Sequence, residues 1–170
     1  ACVLWAFMEM GFLDFERKED RERYLRRITE HVARKTRQLN NCTHFDVLEI
    51  HWISLPDEIR VGFQRLCAEY DPSEYEELPE ALVKSMAYIR ERMDESYALL
   101  SDDERRRAYR KDLLEPMMIL QSAELLSKKG EMAIMRKDRR AALTCFSKAL
   151  ELQPGHPSYR DGLQRARTAT

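Results

Sequence analysis

The chain has 170 residues, with 29 Lys+Arg against 30 Asp+Glu, a formal net charge of −1, 44% hydrophobic and 35% charged residues. That length fits one or two small domains; five glycines and six prolines exclude a collagen-like or linker-like chain, and the hydrophobic share excludes wholesale disorder. No apolar run nears the roughly 18 residues of a membrane span, and the opening ACVLWAFMEMGFLDF, interrupted by Glu9, lacks the basic start of a secretory signal.

The first residue is Ala, so the chain reads as a piece of a longer protein. Residues 2–13 have a helical pattern expected to end near Gly11. Glu16 to Leu39 reads as a long polar helix with a narrow stripe of Tyr24, Ile28 and Val32, stopped by Asn40-Asn41. The short apolar segment HFDVLEI follows. Pro56-Asp57-Glu58 then opens a helix with proline in its first turn and acids at the positive end of the dipole. Ile59, Phe63, Leu66 and Tyr70 mark one face of it, and Asp71-Pro72-Ser73 ends it, since proline disfavours helical geometry in the residue before it. Leu82, Met86, Ile89, Met93, Tyr97 and Leu100 form the longest stripe in the chain. Ser101-Asp102 breaks that stripe and caps a short basic helix, Arg105 to Lys111. Two stripes joined by a loop predict an antiparallel hairpin. Pro116 opens another helix pair, Ile119 to Ala133 and Ala142 to Leu150, closed by Pro154-Gly155 before a third helix at His156-Pro157.

Charge follows these divisions. Residues 1–43 carry 9 basic and 7 acidic groups, residues 44–115 carry 10 and 18, and residues 116–170 carry 10 and 5. We therefore expect an all-α chain in three parts. Residues 1–42 form an N-terminal helical segment and linker helix, the end of a preceding domain; residues 43–115 form an acidic module and residues 116–170 a basic one. The opposite charges predict docking between these last two.

Enzyme chemistry finds no constellation. His31, His44, His51 and His156 are scattered, no glycine-rich phosphate loop exists, and Glu76-Glu77 and Asp102-Asp103 fall where acids serve capping and solubility. Cys2, Cys42, Cys67 and Cys145 form no CxxC and have no histidine at ligand spacing, so no metal or cofactor is expected and the thiols suit a reducing cytoplasm. Nucleic acid is not expected as a partner: Glu19, Asp20 and Glu22 interrupt the arginines of the 17–39 helix, leaving 105–111 as the other arginine-rich candidate.

Residues 123–156 resemble one tetratricopeptide repeat, a 34-residue helix–turn–helix unit. Gly130, Ala142, Phe146, Ala149 and Pro154 fall at the family's small, small, aromatic, small and proline positions, while Leu126, Lys129 and Ala133 depart from its Trp, Leu and Tyr. The resemblance implies a protein-binding face along the first helix, at Ser127, Glu131, Ile134 and Met135. The family's carboxylate-clamp variant wants Lys and Asn where Ser127 and Glu131 stand, so that ligand is not expected.

Residues 43–113 resemble a DnaJ-type J-domain. HFDVLEI is similar to its first helix, Glu58–Tyr70 to its second, and MDESYALLSDDERRRAY to the end of its third and its fourth. J-domains stimulate Hsp70 through a His-Pro-Asp tripeptide after the second helix, helped by basic residues on it. This chain has Asp71, Pro72 and Ser73 there, with Arg60 and Arg65 set against Glu58 and Glu69. If that partner presents an acidic surface, as the resemblance implies, a segment of net −8 is repelled from it. The expected function is thus a non-catalytic scaffold with an unidentified protein partner, its J-like module having lost Hsp70 activation. The alternative is a co-chaperone that recruits Hsp70 through the altered loop while the repeat holds a client. Residues 1–15, through LWAFMEMGFLDF, resemble the last helix of a PATAN-type bacterial domain, which would place the chain in a multi-domain bacterial protein.

Overall fold

The computed structural model describes residues 2–168, with side chains from Asp20 onward. The fold is all-α, 81% helical, with no strand among the described residues. Eight α-helices follow one another there: α1 (Cys2–Gln38), α2 (His44–Val47), α3 (Pro56–Glu69), α4 (Glu80–Leu100), α5 (Asp103–Leu113), α6 (Pro116–Met135), α7 (Arg139–Leu152) and α8 (Pro157–Thr168). Short 3-10 turns occupy Leu39–Asn41 and Pro72–Glu74. The break expected near Gly11 does not occur, and α1 runs through it. One interior glycine costs only about 1 kcal/mol relative to alanine, and no proline removes an amide there. The phrase LWAFMEMGFLDF, and the PATAN resemblance it carries, lies outside the described side chains.

Capping chemistry sets the helix starts. Thr43 and Asp46 form a reciprocal capping box on α2, the Asp46 amide donating to Thr43 Oγ1 at 3.2 Å and the Thr43 amide to Asp46 Oδ2 at 2.9 Å. Glu58 reaches back to accept the Leu55 amide at 2.8 Å ahead of α3. Asp102 caps α5 by accepting from the Arg105 amide at 2.8 Å, and Asp138 caps α7 by accepting from the Ala141 amide at 2.9 Å.

Two compact units are present. One combines the chain up to Cys42 with Cys67–Arg92, and the other combines Thr43–Leu66 with the chain from Met93 on. The sequence boundary at 115/116 therefore falls inside the second unit, and residues 67–92 group with α1. In the first unit Ile28, Val32 and Lys35 are the buried stripe of α1, with Tyr24 exposed at its start; Leu39 of the following 3-10 turn, Tyr70, Leu82, Met86 and Ile89 are buried as well. In the second, Phe45, Val47, Leu48, Ile59, Leu66, Met93 and Leu100 are buried, and Phe63 of α3 stacks on Tyr97 of α4 with centroids 4.2 Å apart.

Helices α6, α7 and α8 close around Phe146. A Cβ on Gly130 of α6 would lie 2.7 Å from the Phe146 ring, and one on Gly162 of α8 would lie 2.2 Å from it. Glycine at these two positions lets both neighbouring backbones come up to the aromatic face. A second cluster, Ile119, Ala123, Ala149, Leu152 and Tyr159, packs with Trp52, Ile53 and Leu114. Residues on both sides of Pro116 thus share one core.

Candidate functional site

Asp71, Pro72 and Ser73 follow the end of α3 in the first unit. Asp71 caps the 3-10 turn: its Oδ1 accepts from the Ser73 amide at 3.0 Å and from the Ser73 hydroxyl at 2.8 Å. Its other oxygen, Oδ2, pairs with Arg90 of α4 at 3.0 Å. The Ser73 amide, then the Ser73 hydroxyl and then Arg90 hold the Asp71 carboxyl below its ordinary value of 3.8. The carboxylate is thus engaged by its own turn and by α4. Beside it the Tyr75 hydroxyl donates to the Glu69 carbonyl, and Arg21 pairs with Glu77.

Directly before this turn, His31 of α1 stacks on Tyr70 with ring centroids 5.3 Å apart. Arg34 Nη2 lies 3.1 Å from His31 Nδ1; a guanidinium can only donate, so Nδ1 accepts and Nε2 carries the hydrogen. Nε2 sits 2.8 Å from Glu69 Oε1 and 2.9 Å from the Tyr70 hydroxyl. These groups border an open cleft of about 670 Å³ lined by Arg27, Arg34 and Arg37 together with Glu30 and Glu69. Mixed signs line it. Among the described residues no group of three or more His, Cys, Asp or Glu is placed to hold a metal ion.

No protein-family model matches the chain, nor does any curated protein or any solved structure. No described helix is long and apolar enough to cross a membrane.

The basic residues of α3 have acidic partners. Arg60 pairs with Asp57 at 3.3 Å and Arg65 with Glu49 at 2.9 Å. Glu58 also meets Lys148 of α7 at 2.8 Å, and Glu69 meets His31. Both α3 arginines are still neutralised, by acids one turn away or across the α2–α3 connection.

The arginines of α5 are not an open basic face. Arg106 and Arg110 are buried. Arg106 Nε donates to Glu151 Oε1 at 2.9 Å, Nη1 to the Leu100 carbonyl at 2.7 Å and Nη2 to Asp103 at 2.7 Å. Arg110 Nη1 reaches the same Glu151 oxygen at 3.2 Å while its Nε donates to the Trp52 carbonyl at 2.9 Å, and Arg107 Nη2 takes Glu151 Oε2 at 3.2 Å. Burial works against the charge on Arg106, but the hydrogen bonds it donates to Glu151 and Asp103 more than offset it, and its proton affinity rises. Burial dominates at Arg110, with Arg106 and Arg107 adding repulsion, and its proton affinity falls. Three guanidinium groups therefore share one buried carboxylate, and two of them are spent inside the fold.

Gly130, Ala142, Phe146 and Ala149 are buried, and Pro154 is exposed just past the end of α7. The four residues of the expected binding face diverge. Glu131 forms a two-pronged pair with Arg165 of α8, Ile134 packs against the Phe146 cluster, Ser127 is half-buried and only Met135 stands fully in water. Three of the four are thus half-buried within their own unit. Sequence reading missed Glu151 because an acid near a helix end reads as solvated. The available signal was indirect: α5 offers only Ala108, Tyr109 and Leu113 as apolar residues, so any face it buries has to include arginine.

Proposed function

We propose that this chain is a non-catalytic protein-interaction scaffold, part of a multi-domain bacterial protein, in which a J-like segment without Hsp70 activation is joined to a tetratricopeptide-like unit. The observation that carries the reading is the state of the turn after α3. Where the resembled family places a free histidine before the proline, the chain has a carboxylate already bonded to Ser73 and Arg90. A negatively charged group held by its own turn cannot repeat the imidazole's chemistry. The neutralised arginines of α3 point the same way, and the burial of Arg106 and Arg110 counts against a nucleic-acid surface on α5.

Steady-state ATPase measurement with a bacterial Hsp70 tests the proposal. The chain is expected to leave the basal rate unchanged, and a several-fold stimulation would establish the co-chaperone alternative instead. Asp71→His combined with Ser73→Asp is the companion measurement: stimulation by this variant alone assigns the lost activity to the turn.

A further inference from the structure

One face of α6 is left exposed among the described residues. Met118, Leu125 and Met132 recur at intervals of seven, two helical turns, and so lie nearly in line along the helix. They are 47%, 53% and 47% exposed, with Met117 at 60% and Met135 at 82% on one border. The opposite face already carries the core through Ile119, Ala123, Gly130 and Ala133, so the row is not what holds α7 and α8 in place. Large apolar side chains aligned in water mark an interaction surface, and the pliable thioethers of methionine suit one.

Charge narrows the occupant. Lys128 and Lys129 sit three and four residues from Leu125 and from Met132, and Arg136 follows Met132 by four, so all three cations flank the row. Each is exposed, and none forms an ion pair among the described residues. Glu124 is the acid at the edge, while Glu131 is turned to Arg165. A second copy would bring the same cations against these and be repelled. A lipid surface fits less well, because the row holds no Trp, Tyr or Phe to sit among headgroups. A helical stretch of 15 residues, 118–132, offers no free backbone edge for a strand.

We propose that the Met118–Leu125–Met132 face of α6 docks an amphipathic helix of a partner protein that carries acidic residues beside its apolar anchors. The proposal rests on the scaffold reading and moves the docking surface around α6, away from Ser127, Glu131 and Ile134.

Two synthetic helical peptides test it on the full chain by fluorescence anisotropy. Both carry leucine at alternating three- and four-residue spacing; one has glutamate at the flanking positions and the other lysine. The glutamate peptide is expected to bind at least about tenfold more tightly, with affinity falling as salt rises. Leu125→Asp and Met132→Asp, both at exposed positions and checked for unchanged helicity and melting, should each abolish that preference. Equal binding of the two peptides, or retention of the preference in both variants, overturns the proposal. So does capture by phosphatidylglycerol vesicles that the glutamate peptide does not displace, or concentration-dependent dimerisation lost in Leu125→Asp. The ATPase assay reports separately: stimulation there sinks the scaffold reading whatever the peptides do, and a flat rate with indifferent peptides sinks this docking proposal alone.

Discussion

Arg106 and Glu151, 45 residues apart in the chain, meet at 2.9 Å with 0% and 6% of their side chains exposed. This pair ties α5 to α7 inside one compact unit. Net charge anticipated attraction between an acidic and a basic segment, yet at the seam the signs are exchanged: the acidic segment supplies the arginines and the basic segment the carboxylate. Totals over fifty residues steer encounter; they do not specify which groups end up buried.

Removing the carboxylate leaves three cations with their shared acceptor gone. Glu151→Ala should destabilise the chain by about 3–5 kcal/mol, the usual cost of breaking a buried pair from one side. Urea unfolding followed by circular dichroism reads this as a lower midpoint. Replacing all the buried members with apolar residues of similar volume, Arg106→Met, Arg110→Leu and Glu151→Leu together, should be far milder than Glu151→Ala alone.

The Phe146 wedge makes a second prediction. Gly162→Ala sets a methyl 2.2 Å from the ring, where it cannot remain without displacing α8 or the ring itself. Overpacking of this kind costs about 1–3 kcal/mol. Phe146→Leu in the same chain should recover part of the lost melting temperature, because the smaller side chain frees the space. Additive losses in the double variant would contradict the wedge.

Much of this architecture was legible beforehand. The α4 stripe was read from its period, and Leu82, Met86, Ile89, Met93 and Leu100 are all buried. The small and aromatic positions of the α6–α7 hairpin were read from fixed spacing, which works because close helix approach tolerates few residue types. Two kinds of feature escaped. Tyr24 continues the α1 stripe on paper but stays exposed, since periodicity marks a face without saying how far the cover extends. The pairing of Glu131 with Arg165, 34 residues later on another helix, was not foreseen either. Long-range polar pairing leaves no periodic trace.

Acid should loosen the turn after α3. The Asp71 carboxyl has a folded pKa below its ordinary 3.8, so the stability it contributes is present above that value and is lost as pH falls through the lower folded one. The stability gap between the native chain and Asp71→Asn should be constant above roughly pH 5 and shrink below roughly pH 4. Hydrogen exchange at the Ser73 amide should accelerate over the same range. A gap that widens on acidification would show that the carboxylate opposes folding.

Between α6 and α7 the chain turns through Lys137 at φ 60°, a left-handed conformation that lysine occupies at a cost. The Asp138 amide still closes the helix by donating to the Ala133 carbonyl at 2.9 Å. Lys137→Gly should therefore raise stability by up to about 1 kcal/mol, the relieved strain being partly offset by glycine's greater freedom in the unfolded chain. Thermal melting checks it, and a clear loss would mean that the lysine side chain contributes more than its backbone costs.

The shared core across Pro116 has a practical side. Cutting the gene there, the natural choice for mapping which half grips a binding partner, would strip Arg106 and Arg110 of their counterion and uncover Trp52, Ile53 and Leu114. Each half would then be sticky for reasons unrelated to biology, and a pull-down with either would collect bystanders. Point changes on the outer surface of the intact chain are the sound instrument for dissecting it.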